Sequence, residues 1–315
     1  MIAYLLRRIA QALVVFVGVT IIVFAMIHLL PGNEAQALLG PNASQLAIRQ
    51  FDIQNGLDRP VWIQYVKYLD QVLHGNLGYS YHYNETVSAL LVQNLPKSAL
   101  LVGLSTALAL LVAVPVGMLQ ALRRNGPLDT VFTVGSFVSF SMPAFWLGFV
   151  LIVVFTMDLH LLPPEGPQGA TVGAVLSDPK ALTLPVLTLT LVSVSIYARF
   201  IRSSASDNLV LDYVRTARAK GVSEMGIIYR HVLRNSLMPV ITLLGLSLPY
   251  MIAGALVVEQ VFNYPGMGLL FWNAATVRDY PVMLGFTLVF AAAAVLGTLL
   301  ADILYAVADP RVRHR

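Results

Sequence analysis

Six apolar runs, each about as long as a bilayer's hydrocarbon core is thick, constrain this chain more than any motif in it. They are Ile9–Leu30, Ala99–Leu119, Val131–Met157, Ala181–Ala198, Ser236–Val258 and Val282–Val307. About 20 residues cross the core as a helix. Charged residues make up only 11% of the 315 positions, against about 25% in soluble domains, so the runs are membrane spans. Lipid offers no partner to an open backbone N–H or C=O, and the alternating pattern of barrel strands is missing, so the spans are read as helices. The expected fold is all-α and transmembrane, a six-helix bundle. Pro115, Gly117, Pro143, Pro185, Pro249 and Gly254 fall inside spans. Kinks there are tolerated where neighbouring helices or cavity water satisfy the freed groups.

The basic residues orient the bundle. Arg7, Arg8, Arg123, Arg124, Arg199, Arg202, Arg215, Arg218, Lys220, Arg230, Arg234, Arg311, Arg313 and Arg315 fall on one side, fourteen of the twenty Lys and Arg. The positive-inside rule then puts both termini and the 199–235 segment in the cytoplasm. This asymmetry accounts for the net charge of +4 without a nucleic-acid partner. The first run follows Arg7-Arg8 as a signal peptide's core would, but it is too long for one, and it is expected to stay as an anchor.

Three regions follow: 1–30, the N-terminal region and first helix; 31–97, an extracytoplasmic loop region; and 98–315, a five-helix core carrying a cytoplasmic segment at 199–235. The 31–97 region mixes turn signals at Pro31-Gly32-Asn33, Gly40-Pro41-Asn42 and Gly75-Asn76 with a helical stretch near Pro60–Leu73. Trp62, Tyr65, Tyr68 and Leu69 recur there at helical spacing, followed by Tyr79-Ser-Tyr81-His-Tyr83. Aromatic anchoring at the membrane interface and docking of an external partner both fit this pattern. The Pro- and Gly-rich stretch 158–180 is a second outer loop.

Several chemistries lack their residues. With zero cysteines there is no disulfide, thiolate site or cysteine nucleophile. Neither a Gly-x-x-x-x-Gly-Lys-[Ser/Thr] loop nor a His-Glu-x-x-His pair occurs, and the six histidines show no ligand spacing. Ser141, before Met142-Pro143, has no Gly-x-Ser-x-Gly context. No catalytic residue or metal site is expected. Intramembrane charge is confined to Asp302, which structural pairing can explain, and Glu259 at the outer end of the fifth run. That scarcity argues against a proton-coupled carrier, which would also call for repeats. Ser139, Ser141, Thr188, Thr190, Ser193, Ser195 and Ser247 could line a weakly polar path; such residues also serve as packing glue between helices. Ser139, Ser141, Thr188, Ser193 and Ser247 are the pore-lining candidates.

Between the fourth and fifth runs lies a basic, helix-forming segment. Ser206 or Asp207 is expected to cap a helix reaching Lys220, and Gly221 to end it in a left-handed position. Ser223 is expected to cap a second, short helix to about His231. The result is a bent pair with an exposed elbow at Gly221–Met225. It could fit a socket on another protein or lie on anionic lipid.

The stretch Asp212-Tyr-Val-Arg-Thr-Ala217-Arg-Ala-Lys-Gly221 resembles the coupling loop of membrane-spanning subunits of ATP-binding cassette importers that work with a solute-binding protein. It matches the Glu-Ala-Ala-x-x-x-Gly pattern at Ala217 and Gly221, with Arg215 and Thr216 where that pattern has Glu and Ala. Further segments are similar to the dipeptide/oligopeptide permease subfamily, in particular its longer-looped first permease. They include Leu30-Pro-Gly-Asn33, Gly56-Leu-Asp-Arg-Pro60, Gly75-Asn-Leu-Gly78, Ser141-Met-Pro-Ala-Phe-Trp-Leu-Gly148, Val258-Glu-Gln-Val-Phe262, Pro265-Gly266, Arg278-Asp-Tyr-Pro281 and Asp309-Pro-Arg311. The resemblance covers essentially the whole chain, in collinear order. It implies a type I importer permease in a bacterial inner membrane, forming half of a pore for small peptides. The implied partners are a homologous second permease whose body the first helix wraps, two ATPase subunits, an extracytoplasmic peptide-binding protein and the bilayer. ATP and magnesium would belong to the ATPases, leaving this chain without a cofactor. The resemblance assigns coupling to Ala217, Lys220, Gly221, Val222, Ser223, Glu224 and Met225, and binding-protein docking to the loop of Tyr79, Tyr81 and Tyr83. Nickel, haem-related compounds or glutathione are alternative cargoes of the same architecture.

Overall fold

Among the described residues the apolar runs are mostly helix, but they do not make six equal rods. The computed structural model describes residues 2–29, 35, 39, 43–253 and 255–308. Helix α1 spans Ile2–Leu29; beyond the largely undescribed 30–42 stretch comes α2 (Gln45–Asn55), capped by the Ser44 hydroxyl on Ala47 N–H at 3.2 Å and stopped by Gly56 at φ 73°. Next comes α3 (Val61–Leu73), lying where the sequence placed a helical stretch. A two-residue hairpin, β1 (Tyr79–Ser80) and β2 (Glu85–Thr86), pairs Tyr79 with Thr86 and Ser80 with Glu85.

The long helix α4 (Val87–Leu122) starts on a Thr86 cap. It begins about a dozen residues before the second apolar run, so the end of the outer segment is helical and not loop. The third run is broken into α5 (Pro127–Ser141) and α6 (Ala144–Ile152), which continues as a π-helix over Val153–Asp158. The two parts meet at a bend of 99°. Pro143 has no N–H to give the ladder, and it drives Met142 to φ −83°, ψ 126°.

After the short α7 (Val172–Leu176), α8 (Pro179–Leu209) starts on an Asp178 cap with proline at its first position. α8 runs straight through Ser206 and Asp207, so neither caps a helix; the chain breaks only at Val210-Leu211, and α9 (Asp212–Ala219) follows. Local capping preference lost there to α8's packing, since Ile201 and Ala205 on it are fully buried. The chain resumes as α10 (Glu224–Gly226), a π turn over Ile227–Val232 and α11 (Leu233–Ser236). This second arm extends past His231. Then come α12 (Met238–Ala253), α13 (Leu256–Val261), α14 (Met267–Val277) and α15 (Tyr280–Ala308).

By length and composition three described helices can cross a membrane: α4, α8 and the Tyr280–Leu299 part of α15. The broken α5–α6 pair makes four if it counts as one span, and α1 carries a shorter apolar stretch, Leu13–Met26. α4 is the central pillar, packed most extensively on α8. At its C-terminal end Met118 and Ala121 join Ile201, Ala205, Val214, Ala217, Ile227 and Val232 in one apolar cluster. At its N-terminal end Val87, Leu90 and Leu91 pack on Met267, Leu270, Ala274, Val282 and Phe286. These two clusters seat the two candidate sites at opposite ends of one helix. The side chains of Arg7, Arg8, Ser247 and Asp302, and the segments at 31–33 and 309–315, lie outside the described residues.

Candidate functional site

The elbow at the C-terminal end of α4 grows from a buried base. Val214, Ala217, Ile227 and Val232 are buried and fix α9 and the 224–236 arm against the bundle. Gly221 turns the chain at φ 74°, where a residue with a Cβ would be strained. Its N–H donates to Arg218 C=O at 3.0 Å and the next N–H, of Val222, to Ala217 C=O at 3.2 Å. The Ser223 hydroxyl then accepts Gly226 N–H at 3.3 Å. Arg218 closes the turn from outside: its Nε and Nη2 donate to the two Glu224 carboxylate oxygens at 2.6 and 3.1 Å. Those bonds hold the Glu224 carboxyl below its ordinary value.

Of the residues assigned to coupling, Lys220, Gly221, Val222, Ser223, Glu224 and Met225 are exposed, whereas Ala217 is buried inside the elbow. Val222, Met225 and Tyr229 present an apolar tip. Exposed apolar side chains on a charged arm are compatible with a docking knob.

Beside the elbow, one ion pair went unforeseen. Asp129, 3% exposed in the first turn of α5, receives Arg202 Nε and Nη2 from α8, both at 2.7 Å, and Asn125 N–H at 3.0 Å. The two bonds from Arg202 offset the cost of burying the Asp129 carboxylate. The pair clamps the α4–α5 turn to α8. Its partners lie 73 positions apart, and no local pattern announces them.

The opposite end is a platform held by buried polar groups. Glu259, fully buried on α13, accepts Ser98 Oγ–H at 2.7 Å, Ala255 N–H at 3.2 Å, Gly268 N–H at 2.7 Å and Leu269 N–H at 3.1 Å. One carboxylate thus ties α13, the start of α14 and α4 together. Gly266 is required there, because a Cβ would stand 2.5 Å from both the Glu259 carboxylate and the Ser98 hydroxyl. Tyr264 donates its hydroxyl to Lys97 C=O at 2.8 Å, and Gln168 reaches Asn263 C=O at 2.7 Å. The Ser80 hydroxyl donates to Asp279 and accepts Tyr83 N–H at 3.0 Å. That ties the hairpin to the α14–α15 corner. Glu259, Pro265-Gly266 and Asp279 stood out in the sequence, but Ser98 and Ser80 did not. Their partners lie 161 and 199 positions away, beyond any periodicity.

The three tyrosines divide. Tyr81 is 49% exposed and Tyr79 is 37% exposed, with the Tyr79 hydroxyl donating to Asn84 at 2.6 Å. Tyr83 instead packs on the apolar cluster under the hairpin. Tyr79 and Tyr81 rim a cavity of about 670 Å³ between α1, α3 and the start of α15.

The described pore-lining candidates sit in different surroundings. Ser139 and Ser141 flank the α5–α6 break, half-buried and exposed. Thr188 is fully buried and spends its hydroxyl on Leu184 C=O at 2.8 Å, a packing role. Ser193 is half-buried on α8. Among the described residues no group of three or more His, Asp or Glu is placed to hold a metal.

Known proteins resemble the chain along its whole length. Residues 113–314 match the family model described as "binding-protein-dependent transport system inner membrane component", and residues 1–102 match the model of that component's N-terminal part. The chain is 39% identical to an oligopeptide transport system permease protein of Bacillus subtilis, over all of both chains. It is 38% identical to a glutathione transport system permease protein of Salmonella choleraesuis, again over the full length of each. It is 34% identical to a dipeptide transport system permease protein of Alkalihalophilus pseudofirmus, also end to end.

Proposed function

The chain belongs to the family of binding-protein-dependent transport system inner membrane components, and on that premise we propose that it is one permease subunit of a bacterial ATP-binding cassette importer for small peptides. The reading rests on the end-to-end likeness to oligopeptide and dipeptide permeases, together with an exposed elbow rigidly seated on the bundle. It is a non-catalytic subunit. It forms half of a translocation pore, with a homologous second permease as the other half. Two ATPase subunits hydrolyse ATP with magnesium, and an extracytoplasmic binding protein delivers the peptide. The elbow end faces the cytoplasm and the platform faces outward in this reading, which the basic-residue asymmetry supports.

In this mechanism closure of the ATPases moves the Gly221–Met225 tip. The tip cannot yield alone, because Val214, Ala217, Ile227 and Val232 join it to α4 and α8, so the displacement passes to the bundle. Read as one span, α5–α6 carries the unladdered backbone of Ser141–Pro143 at membrane depth. Such backbone is tolerated where it is buried in protein or lines water, which favours Ser139 and Ser141 over Thr188 as pore residues. Little affinity for cargo should reside in the pore, since cargo must leave it.

The likeness to a glutathione permease keeps glutathione as a second cargo reading. Proteoliposomes holding the purified assembly, given ATP inside and loaded binding protein outside, test both. Uptake of a labelled dipeptide or oligopeptide that competes out glutathione supports the peptide reading; uptake of glutathione alone replaces it. If no ATPase subunits co-purify with this chain, the importer reading fails.

A further inference from the structure

The 670 Å³ cavity is lined by one lysine, Lys67, and among the described residues by no Asp or Glu. Gln54, Tyr68, Gln71 and Tyr81 also line it. Among the described residues neither the Lys67 ammonium nor these side chains make a hydrogen bond to the protein. The cavity therefore offers a cation and several uncommitted donors to an anionic oxygen.

A second opening lies on the same pair of helices. A groove of about 240 Å³ runs between α1 and α15, lined by Val15, Phe16, Val19, Phe290, Ala294 and Val295 among others. On α15 the cavity reaches Leu284 and the groove begins at Phe290, about 9 Å further along at 1.5 Å per residue. On α1 the two meet between Phe24 and Val19. A polar, cationic chamber thus leads into an apolar channel along one helix seam. The groove starts within one leaflet's depth of the cavity, since a leaflet's hydrocarbon is about 15 Å thick.

Helix α3 sets the level of the chamber. Trp62 is 69% exposed on it, beside exposed Val66 and Leu73, the pattern of a helix resting at the headgroup layer.

We propose that the α1–α15 seam binds one anionic phospholipid, its phosphate held at Lys67 and an acyl chain laid along the groove to Ala294. The site rests on the membrane setting of α1 and α15 and not on the identity of the cargo. It would fasten the 43–73 helices and α1 to α15 through a lipid, adding to the Thr20–Tyr65 and His28–Gln64 hydrogen bonds that join α1 to α3 directly.

The test measures lipid retained by the purified assembly after exchange into detergent containing phosphatidylglycerol or phosphatidylcholine. The expected result is retention of phosphatidylglycerol in preference to phosphatidylcholine, reduced at least five-fold by Lys67→Glu and by Ala294→Trp. Millimolar inorganic phosphate should not displace it. Loss in Lys67→Glu alone, with displacement by phosphate, would make the cavity a site for a free anion and overturn the lipid. Unchanged retention in both variants would overturn the site altogether. Loss of the second permease from Ala294→Trp preparations would give the groove to that subunit instead. Weaker ATPase stimulation by binding protein in Lys67→Glu, at unchanged lipid retention, would give the cavity to docking. A failed peptide-uptake assay leaves the lipid measurement standing, so the two readings fail separately.

Discussion

The two ends of α4 are built on opposite principles. At the platform the polar groups are inside: Glu259 is fully buried with four donors, and Asp279 is buried against Ser80. At the elbow the seat is apolar and the charges of the turn are outside, with the Arg218–Glu224 pair half or more exposed; the buried Asp129–Arg202 pair lies beside it and not within the turn. Buried polar groups hold one geometry, because any shift leaves a donor or acceptor unmet. A knob on an apolar base keeps its own shape while its seat slides as a unit. The comparison teaches that the platform is built to stay and the elbow to be pushed.

Removing the central platform acceptor should have the largest effect. Glu259→Ala strands three backbone N–H groups and the Ser98 hydroxyl in a buried site. Each orphaned donor costs about 1–3 kcal/mol. The expected outcome is a loss of at least about 3 kcal/mol, seen as failure to accumulate or a Tm lowered by several degrees. A variant that melts within a degree of the parent would break the contrast.

Gly221→Asp comes next and should act on function without touching stability much. Holding a non-glycine residue at φ 74° costs roughly 1 kcal/mol, and no atom lies within 4 Å of a Cβ placed there. The protein should insert and assemble at normal level, yet peptide uptake should fall at least ten-fold while ATP is still hydrolysed. Normal uptake at normal protein level would remove the elbow from coupling.

Tyr81→Ala should sit lower. Tyr81 is half exposed and Tyr83 is packed on the cluster, so the two tyrosines are no longer equivalent. An interface aromatic worth about 1 kcal/mol or more changes affinity about five-fold. Tyr81→Ala should raise the binding-protein concentration for half-maximal ATPase stimulation by that factor, at unchanged basal activity. Tyr83→Ala should lower Tm as well. If neither moves stimulation, the aromatic series anchors the interface and does not dock.

The elbow was more legible in the sequence than the platform, and the reason is contact range. Gly221's left-handed turn and the Ser223 cap are local, set by residues within five positions, and both were readable. So was the helix at 61–73. The Ser206 cap was misread because α8's packing overrode a local preference, and α4's early start because Thr86 and the hairpin before it carry the cap. Ser98–Glu259, Ser80–Asp279 and Asp129–Arg202 join distant segments, and only tertiary structure reveals them. Polar side chains in spans are hard to assign to a pore for a related reason. A small hydroxyl in a helix can satisfy itself on the preceding turn, as Thr188 does on Leu184, and its presence in a span says nothing about which way it faces.

The smallest expected effect concerns the elbow's ion pair. Arg218 holds Glu224 below its ordinary value, and both side chains are exposed, so solvent screens most of the attraction. A depressed carboxylate contributes its stabilisation above the ordinary glutamate value and loses it as pH falls through the depressed one. The turn is also closed by bonds that do not titrate: Gly221 N–H to Arg218, Val222 N–H to Ala217 and Gly226 N–H to Ser223. Glu224→Gln should therefore leave uptake close to normal, far above that of Gly221→Asp. Its trace should appear as amide exchange at Val222 and Gly226. In the parent, protection relative to intrinsic rates should drop on acidification below the usual glutamate range, and in Glu224→Gln that drop should vanish. An acid-dependent drop that survives in Glu224→Gln would assign the response to another group. Uptake lost in Glu224→Gln as fully as in Gly221→Asp would mean that the charge, and not the shape of the turn, is what the socket reads.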